Sequence, residues 1–324
     1  MKRRSLLAGG AAMFGGMMTE VGGAAGGPAD APQEPGSVRL EPRLVPVLHD
    51  ADVVVAGGSL AGVAAALSFA RSGRTVVLVE SRTYLGGEIA ASLRPWVEAG
   101  AVLPRELHAF FQQQRGNSSG EQPLRLDALK IGLEDLLLGA GVTLLYASTA
   151  VDLISGSGEV QALVVGNKSG RQALGCRILI DATETAAAIR AAGARFDSPG
   201  AGAGTWTRTI EFTGATADSD SIAVPAQIGV AGNRVRVHRG CRGSGHILLE
   251  FDLAVTASAS GPFEAARREI EARKRTAALV TYLKASVPEF RDAFFAASSF
   301  ELKGRSTPRM AGPDPAWASG LAGL

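Results

Sequence analysis

One stretch, residues 52–87, constrains the fold of this chain more than any other. It opens with an apolar run at residues 53–55, which suits a strand buried on both faces. A glycine-rich turn follows at residues 57–62, and the Ala-rich, proline-free segment behind it predicts a helix to residue 72. A second apolar run, residues 75–79, predicts another buried strand and is followed by an acid. This order predicts the first half of a dinucleotide-binding α/β fold.

The residue types in the glycine-rich turn suit the close approach of a pyrophosphate. Gly57 permits a tight turn after the strand. Gly58, Ser59 and Ala61 are small enough for backbone N–H groups to reach phosphates at the positive end of the helix. Gly62 allows helix and strand to pack closely. Ser59 departs from the G-x-G-x-x-G pattern, and its side chain adds bulk beside the phosphates.

Glu80 follows the second predicted strand, 18 residues after Gly62. The usual spacing is about 20 residues, at which a carboxylate binds the ribose hydroxyls of a dinucleotide. We therefore assign Glu80 to the ribose and expect its neighbours Ser81 and Arg82 beside the cofactor. Glycine turns also occur in other α/β folds, but the strand, helix and acid around this one favour the dinucleotide.

Gly86 and Gly87 stand shortly after Glu80, in ESRTYLGGEIAASLRPW. Together with VVVAGGSLAGVAAAL, this sequence resembles the FAD-dependent oxidoreductases with a glutathione-reductase-like fold. It resembles most the branch whose turn reads Gly-Gly-Ser/Thr-x-x-Gly, in which Ser59 is an ordinary variant. The resemblance covers about residues 52–196. It implies that FAD is the cofactor and that the glycine pair allows the backbone to run close beside it.

The resemblance implies further contacts with the cofactor. In the family a three-stranded meander crosses over the parallel sheet, and residues 151–154, 160–165 and 173–180 have that pattern. Val151 is then expected to offer its backbone to the adenine. Ala182 and Thr183 resemble the start of the family's Ala-Thr-Gly segment beside the ADP, where Glu184 replaces the glycine. A glutamate so close to a pyrophosphate must point away or weaken binding.

The resemblance also places the loop after the glycine pair, with Arg94 and Trp96, near the isoalloxazine ring. Packing is an equally good explanation for Trp96. Helices are predicted over residues 104–115, 127–139 and 185–192. Asp127 is the expected N-cap of the second helix.

The pattern changes after residue 196. The alternation TWTRTIEFT at residues 205–213 predicts a strand with one solvated face, and residues 234–238 and 246–253 predict two more strands. Residues 262–283 predict a long helix whose many charges form a solvated face. His238, Cys241 and His246 match no standard zinc-ligand spacing, so we predict no metal site.

These segments predict an α/β, Rossmann-like FAD-binding domain with a three-stranded meander, followed by an α+β substrate domain that looks incomplete. The predicted boundaries are a signal peptide (1–31), a linker (32–50), the FAD-binding domain (51–198), a substrate-type domain (199–305) and an irregular tail (306–324).

The N-terminus has the features of an export signal. Lys2, Arg3 and Arg4 precede a modest apolar segment at residues 6–18, which is too short and glycine-rich to span a membrane. The twin arginines predict export of a folded protein across the cytoplasmic membrane. The alternative is a disordered basic N-terminus.

The charge and cysteine content exclude several classes of partner and scaffold. The formal net charge is +2, which argues against a nucleic-acid binder. The two cysteines rule out a disulfide scaffold, and Cys176 lies in a strand-like run where we expect a buried thiol. A small-molecule substrate is the expected partner.

The predicted function is that of a FAD-dependent oxidoreductase of unknown substrate, and no catalytic residue stands out by spacing. The alternatives are an NAD-binding dehydrogenase and a degenerate, non-catalytic nucleotide-binding module. Members of the family normally return to the first domain after the substrate domain, and no segment after residue 300 resembles that part of the family. We therefore expect either a truncated member that binds the ADP half of FAD or a second polypeptide that completes the site.

Overall fold

The computed structural model describes residues 42–96, 104–115, 123–156, 159–191, 205–239, 243–254 and 262–304. The chain divides into two compact units, Met1–Leu44 and Val45–Leu324, and every element below belongs to the second. The predicted signal peptide and tail lie outside the described residues. No helix in the described ranges is long and apolar enough to cross a membrane.

Six strands form the first sheet. They are β1 (Val47–Ala56), β2 (Val76–Val79), β3 (Thr143–Leu145), β4 (Thr149–Gly156), β5 (Glu159–Asn167) and β6 (Gly170–Asp181). Their order is β3-β2-β1-β6-β5-β4. The first four run parallel, and β5 runs antiparallel to both of its neighbours, β6 and β4. This is the predicted Rossmann-like arrangement, and the predicted meander is β4-β5-β6.

In the described ranges, six helices accompany the strands: α1 (Leu60–Arg71), α2 (Gly87–Ala90), α3 (His108–Arg115), α4 (Leu126–Gly139), α5 (Ala187–Ala191) and α6 (Pro262–Ser286). Single 3₁₀ turns lie at Arg105–Leu107, Ala226–Ile228, Ala231–Asn233 and Pro288–Phe290.

The apolar run of β1 is buried on both faces, as its composition predicts. Val53 and Val55 pack against α1 and α4 on one face. Val54 packs on the other face against apolar side chains of the meander, including Leu163 and Leu174. Because β6 pairs with both β5 and β1, the meander is continuous with the parallel sheet. Cys176 of β6 is buried, as predicted, and burial raises the pKa of its thiol to about 11.

The second sheet is antiparallel. Its strands are β7 (Thr205–Thr213), β8 (Ser221–Ala223), β9 (Arg234–Arg239), β10 (His246–Ala254), β11 (Phe294–Ser298) and β12 (Lys303–Gly304). Their order is β11-β7-β10-β9-β8, and β12 pairs with β7. One face packs against α6 through a core that includes Ile210, Phe212, Leu249, Phe251 and Leu279.

The structure corrects several boundaries predicted from sequence. β1 begins at Val47, inside the predicted linker, because its first residues pair with β6. Arg125 rather than Asp127 is the N-cap residue of α4, so Asp127 lies in the first turn. The helix predicted over 185–192 is only α5, since Thr183 Oγ1 accepts the Ala187 N–H and starts it later.

The predicted solvated face of β7 is wrong, since residues 207–212 are all buried. The charges of α6 are also not all solvated. Arg208, with 1% of its surface exposed, donates to Glu269 of α6 (2.9 Å) and to the Ser299 carbonyl (2.6 Å). Arg275 of α6 donates to the Gly229 carbonyl at 2.8 Å.

Candidate dinucleotide site and the facing sheet

The turn between β1 and α1 requires glycine at two positions for different reasons. Gly57 has φ +104°, and a Cβ there would lie 2.6 Å from backbone atoms of Ala182. A Cβ on Gly62 would lie 2.0 Å from the Gly57 carbonyl oxygen. The turn is therefore held between α1 and the end of β6, as a dinucleotide-binding turn requires.

Ser59 is the N-cap residue of α1 and adopts an extended conformation (φ −64°, ψ 167°) that does not call for glycine. Its Oγ accepts the Gly62 N–H (3.2 Å) and donates to the Ala182 carbonyl (3.0 Å). The hydroxyl is thus committed to the helix start and to β6. This explains how serine fits where the general pattern has glycine.

Glu80 lies directly against the turn, as its spacing predicts. Its side chain is buried, and Oε2 accepts the Gly58 N–H at 2.6 Å while Oε1 accepts the Arg82 N–H at 2.8 Å. The Ser81 hydroxyl donates to Oε1 at 3.0 Å. Three donors fix the carboxylate at the end of β2, where a ribose would lie.

Arg82 pairs with Glu184, the glutamate expected to repel a pyrophosphate. Its Nη2 lies 3.6 Å from Glu184, which is 57% exposed, and its guanidinium binds both oxygens of Glu301. Although burial works to lower the pKa of Arg82, the Glu301, Glu184 and Glu80 carboxylates raise it overall. The charge of Glu184 is therefore paired beside the site, as well as turned toward solvent.

The other predicted site residues divide into two groups. Gly86 donates its N–H to the Gly58 carbonyl (2.8 Å), and Gly87 packs against the Arg82 guanidinium, so the glycine pair lies beside the turn. Ala182 and Thr183 also lie against Gly57. Val151 lies in a bulge of β4 and is partly exposed, and its predicted contact with adenine stays a prediction.

Arg94 and Trp96 connect the loop after α2 to the second sheet. Arg94 forms an ion pair with Glu250 of β10, and Trp96 stacks on His238 of β9 with ring centroids 3.9 Å apart. Both are buried. The structure therefore gives both residues a packing role, and their predicted position near the isoalloxazine ring stays a prediction.

This loop also explains why β7 has no solvated face. The polar side of the second sheet carries Thr207, Glu211 and Glu250, and it faces the loop rather than water. Sequence alternation identified that side as polar but could not show what covers it.

A buried pair, Glu211 and His246, was missed by the sequence analysis. Glu211 Oε1 lies 2.8 Å from His246 Nε2, and His246 is 5% exposed. The pair borders a cavity of about 10 Å³, room for roughly one water molecule. Leu93, Pro95, Leu124, Leu126 and Leu248 line the rest of it. The sequence alternation placed Glu211 on the polar side of the strand and gave no sign of its pairing with His246.

Between β11 and β12 the chain contacts the first domain through residues 300 and 301. The Phe300 N–H donates to the Ala91 carbonyl at 2.9 Å, and Glu301 binds Arg82. No strand described after β6 joins the first sheet. The predicted second polypeptide gains no support from these contacts.

The residues present fit the pyrophosphate end of FAD. The cradle around Gly57 and Gly62 admits no Cβ, and Ser59 and Ala61 open a helix of twelve residues. Backbone N–H groups at such a helix start favour an anion. Within the described part of the chain, no cluster of three or more His, Cys, Asp or Glu could hold a metal ion.

Comparison with known proteins agrees with this geometry. Residues 52–314 match the model of a family described as FAD dependent oxidoreductase. A dihydrolipoyl dehydrogenase of Manduca sexta is 30% identical over 135 residues, which cover 39% of this chain and 26% of that protein. The chain thus spans about a quarter of the curated relative that it matches.

Two solved structures show the shared fold. A geranylgeranyl bacteriochlorophyll reductase-like protein from Thermoplasma acidophilum has a TM-score of 0.56 at 16% identity, covering 79% of this chain and 66% of its own. An anhydrotetracycline hydroxylase from Streptomyces rimosus has a TM-score of 0.51 at 12% identity, covering 81% and 54%.

Proposed function

Because the chain belongs to the FAD-dependent oxidoreductase family and has FAD as its cofactor, we propose that it takes part in the oxidation or reduction of a small organic molecule. The observation that carries the proposal is the joint position of the glycine turn and Glu80 at the carboxyl ends of β1 and β2. A dinucleotide binds at that edge in folds of this kind.

Bound FAD would supply the acceptor or donor of a hydride, and the chain's residues supply binding and orientation. The start of α1 receives the pyrophosphate, and Glu80 binds the ribose. Ala182 and Thr183 close the site from the end of β6. Arg82 offsets the charge of Glu184 next to the phosphates.

The proposal extends to the polar side of the second sheet. There Glu211 orients His246 by a hydrogen bond, and the pair borders the cavity beside the loop that follows the glycine pair. A histidine held by a carboxylate can accept or donate a proton during hydride transfer.

The spectrum of the purified protein tests the cofactor and the redox function together. We expect flavin absorption bands, release of FAD on denaturation, and bleaching of the bands when a substrate reduces the flavin under anaerobic conditions. Release of NAD without flavin would support the dehydrogenase alternative. Bound FAD that no reductant can bleach would support the degenerate module.

The role of His246 is tested with His246→Gln, which keeps a polar group of similar size. Loss of a proton acceptor should lower kcat roughly 10²–10⁴-fold. FAD binding should be unchanged, since His246 lies outside the glycine turn. An unaltered kcat would show that the pair has a structural role only.

Export by the twin-arginine route is a further proposal, supported by Arg3 and Arg4 ahead of the modest apolar segment. The route carries folded proteins, which suits a protein that loads FAD before it leaves the cytoplasm. Replacing both arginines by lysine in a reporter fusion should abolish export. Continued export of that variant would exclude the route.

A further inference from the structure

The carboxylate of Glu88 lies at the N-terminus of α1, the position that a pyrophosphate needs. Glu88 Oε1 accepts the N–H of Leu60, the first residue of α1, at 2.6 Å. The other two N–H groups of the first turn differ in their surroundings. The Gly62 N–H is bound by Ser59 Oγ, whereas Ala61, which lies between Leu60 and Gly62, is an exposed residue. Glu88 therefore shares the anion-binding end of the helix with any bound phosphate.

Glu88 is also a buried charge with incomplete partners. Its Oε2 is buried and has no hydrogen-bond partner among the described residues. Burial raises the pKa of the carboxyl, and the nearby Glu184 adds to the rise. The Leu60 N–H, the backbone N–H of Glu88 itself and the more distant Lys303 work against it.

The surroundings of Glu88 hold several other charged groups. Glu80 and Glu301 are joined to Glu184, the carboxylate that acts on Glu88, through their shared contacts with Arg82. Arg82 is already paired with those two carboxylates and with Glu184. A doubly charged pyrophosphate that approaches α1 thus meets an ionised Glu88 as a like charge in a poorly solvated place.

We propose that Glu88 binds a proton when the pyrophosphate of FAD binds, so that this residue sets the pH range in which the cofactor is held. In the ionised state Glu88 competes with the pyrophosphate for the start of α1. In the protonated state it keeps its contact with Leu60 and offers an O–H donor through Oε2. The inference rests on the proposed FAD site and concerns how that site is loaded.

The direction of the pH dependence follows from these charges. The bound pyrophosphate stabilises the neutral form of Glu88, so the carboxyl has a higher pKa in the complex than in the free protein. Binding then takes up a proton. Affinity is greatest below both pKa values and falls as the pH rises between them.

The experiment uses Glu88→Gln, which resembles the protonated side chain and can still accept the Leu60 N–H. The probes are FAD and ADP-ribose, because ADP-ribose has the same pyrophosphate linkage without the flavin. Titration calorimetry in two buffers of different ionisation enthalpy measures both the dissociation constant and the protons taken up. Asp127→Asn is the control, because it removes the same charge from an exposed site on α4.

For the unchanged protein and for Asp127→Asn, we expect proton uptake approaching one per ligand and affinity that falls roughly tenfold across about two pH units. Glu88→Gln should bind more tightly at the alkaline end, with no proton uptake and a flat profile. Should Glu88→Gln not fold, binding by the unchanged protein without proton uptake still overturns the inference.

Two outcomes would overturn the inference in different ways. Tight binding of FAD by the unchanged protein without proton uptake, or an equal pH dependence in Glu88→Gln, would leave the FAD site standing and reject the role of Glu88. Failure of the unchanged protein to bind either probe would reject the proposed FAD site and this inference with it.

Discussion

The hydroxyl of Ser59 shows how a single side chain can replace a glycine in a phosphate-binding turn. Its two hydrogen bonds, to Gly62 and Ala182, use the oxygen that would otherwise be close to a phosphate. Gly57 and Gly62 have no such freedom, because a Cβ at either would collide with backbone atoms. At this scale the important distinction is between residues that must be glycine and those that need only be small.

Glu80 is the residue whose predicted role is tested most simply by substitution. Glu80→Gln should weaken FAD binding at least tenfold, because hydrogen bonds to a charged group contribute about 1.5–3 kcal/mol each. The amide would also set an N–H donor against the Gly58 or Arg82 N–H. Quenching of flavin fluorescence gives the dissociation constant.

The control for Glu80→Gln is again Asp127→Asn, which should bind FAD like the unchanged protein. Equal dissociation constants for Glu80→Gln and the control would remove Glu80 from the site.

At the scale of elements, the sequence predicts well wherever a segment is buried by its own neighbours. The bounds of α1 and β7 match the predicted spans closely, since apolar periodicity is a local signal. The cover over the polar side of β7 could not be predicted, because it comes from a loop more than a hundred residues earlier.

The site residues that the sequence did not reveal have partners far away in the chain. Glu80 follows from its spacing within one βαβ unit. The pairing of Glu211 with His246 joins residues 35 apart on different strands, and that of Arg82 with Glu301 joins residues 219 apart. Such contacts depend on the tertiary fold, which no local pattern records.

The packing of α1 against the turn gives a prediction about stability. Gly62→Ala should lower the free energy of unfolding by roughly 1–3 kcal/mol or more, because its Cβ would lie 2.0 Å from the Gly57 oxygen. Gly139→Ala, at the end of α4, has open space around it and should be neutral or stabilising by about 0.5–1 kcal/mol.

Urea unfolding of the cofactor-free protein measures both glycine variants. A Gly62→Ala protein as stable as the Gly139→Ala protein would show that the close contact at the turn can relax without cost.

At the scale of the whole molecule, the two sheets meet along the loop that leaves the glycine pair. Arg94 and Trp96 of this loop contact β10 and β9, and the backbone of Ala91 accepts the Phe300 N–H. The dinucleotide site and the polar side of the second sheet are therefore connected through one short segment. Changes in that loop should affect cofactor binding and the Glu211–His246 pair together.

We propose above all that the turn at residues 57–62, with Glu80, binds the adenosine and pyrophosphate half of FAD. The most direct measurement is a titration of the cofactor-free protein in which flavin fluorescence reports the binding of FAD and, separately, of FMN. ADP-ribose is then added as the competitor. We predict saturation at one FAD per chain, displacement of FAD by ADP-ribose, and much weaker binding of FMN, which lacks the adenosine half. Binding of FMN as tight as that of FAD, or failure of ADP-ribose to displace FAD, would contradict the account.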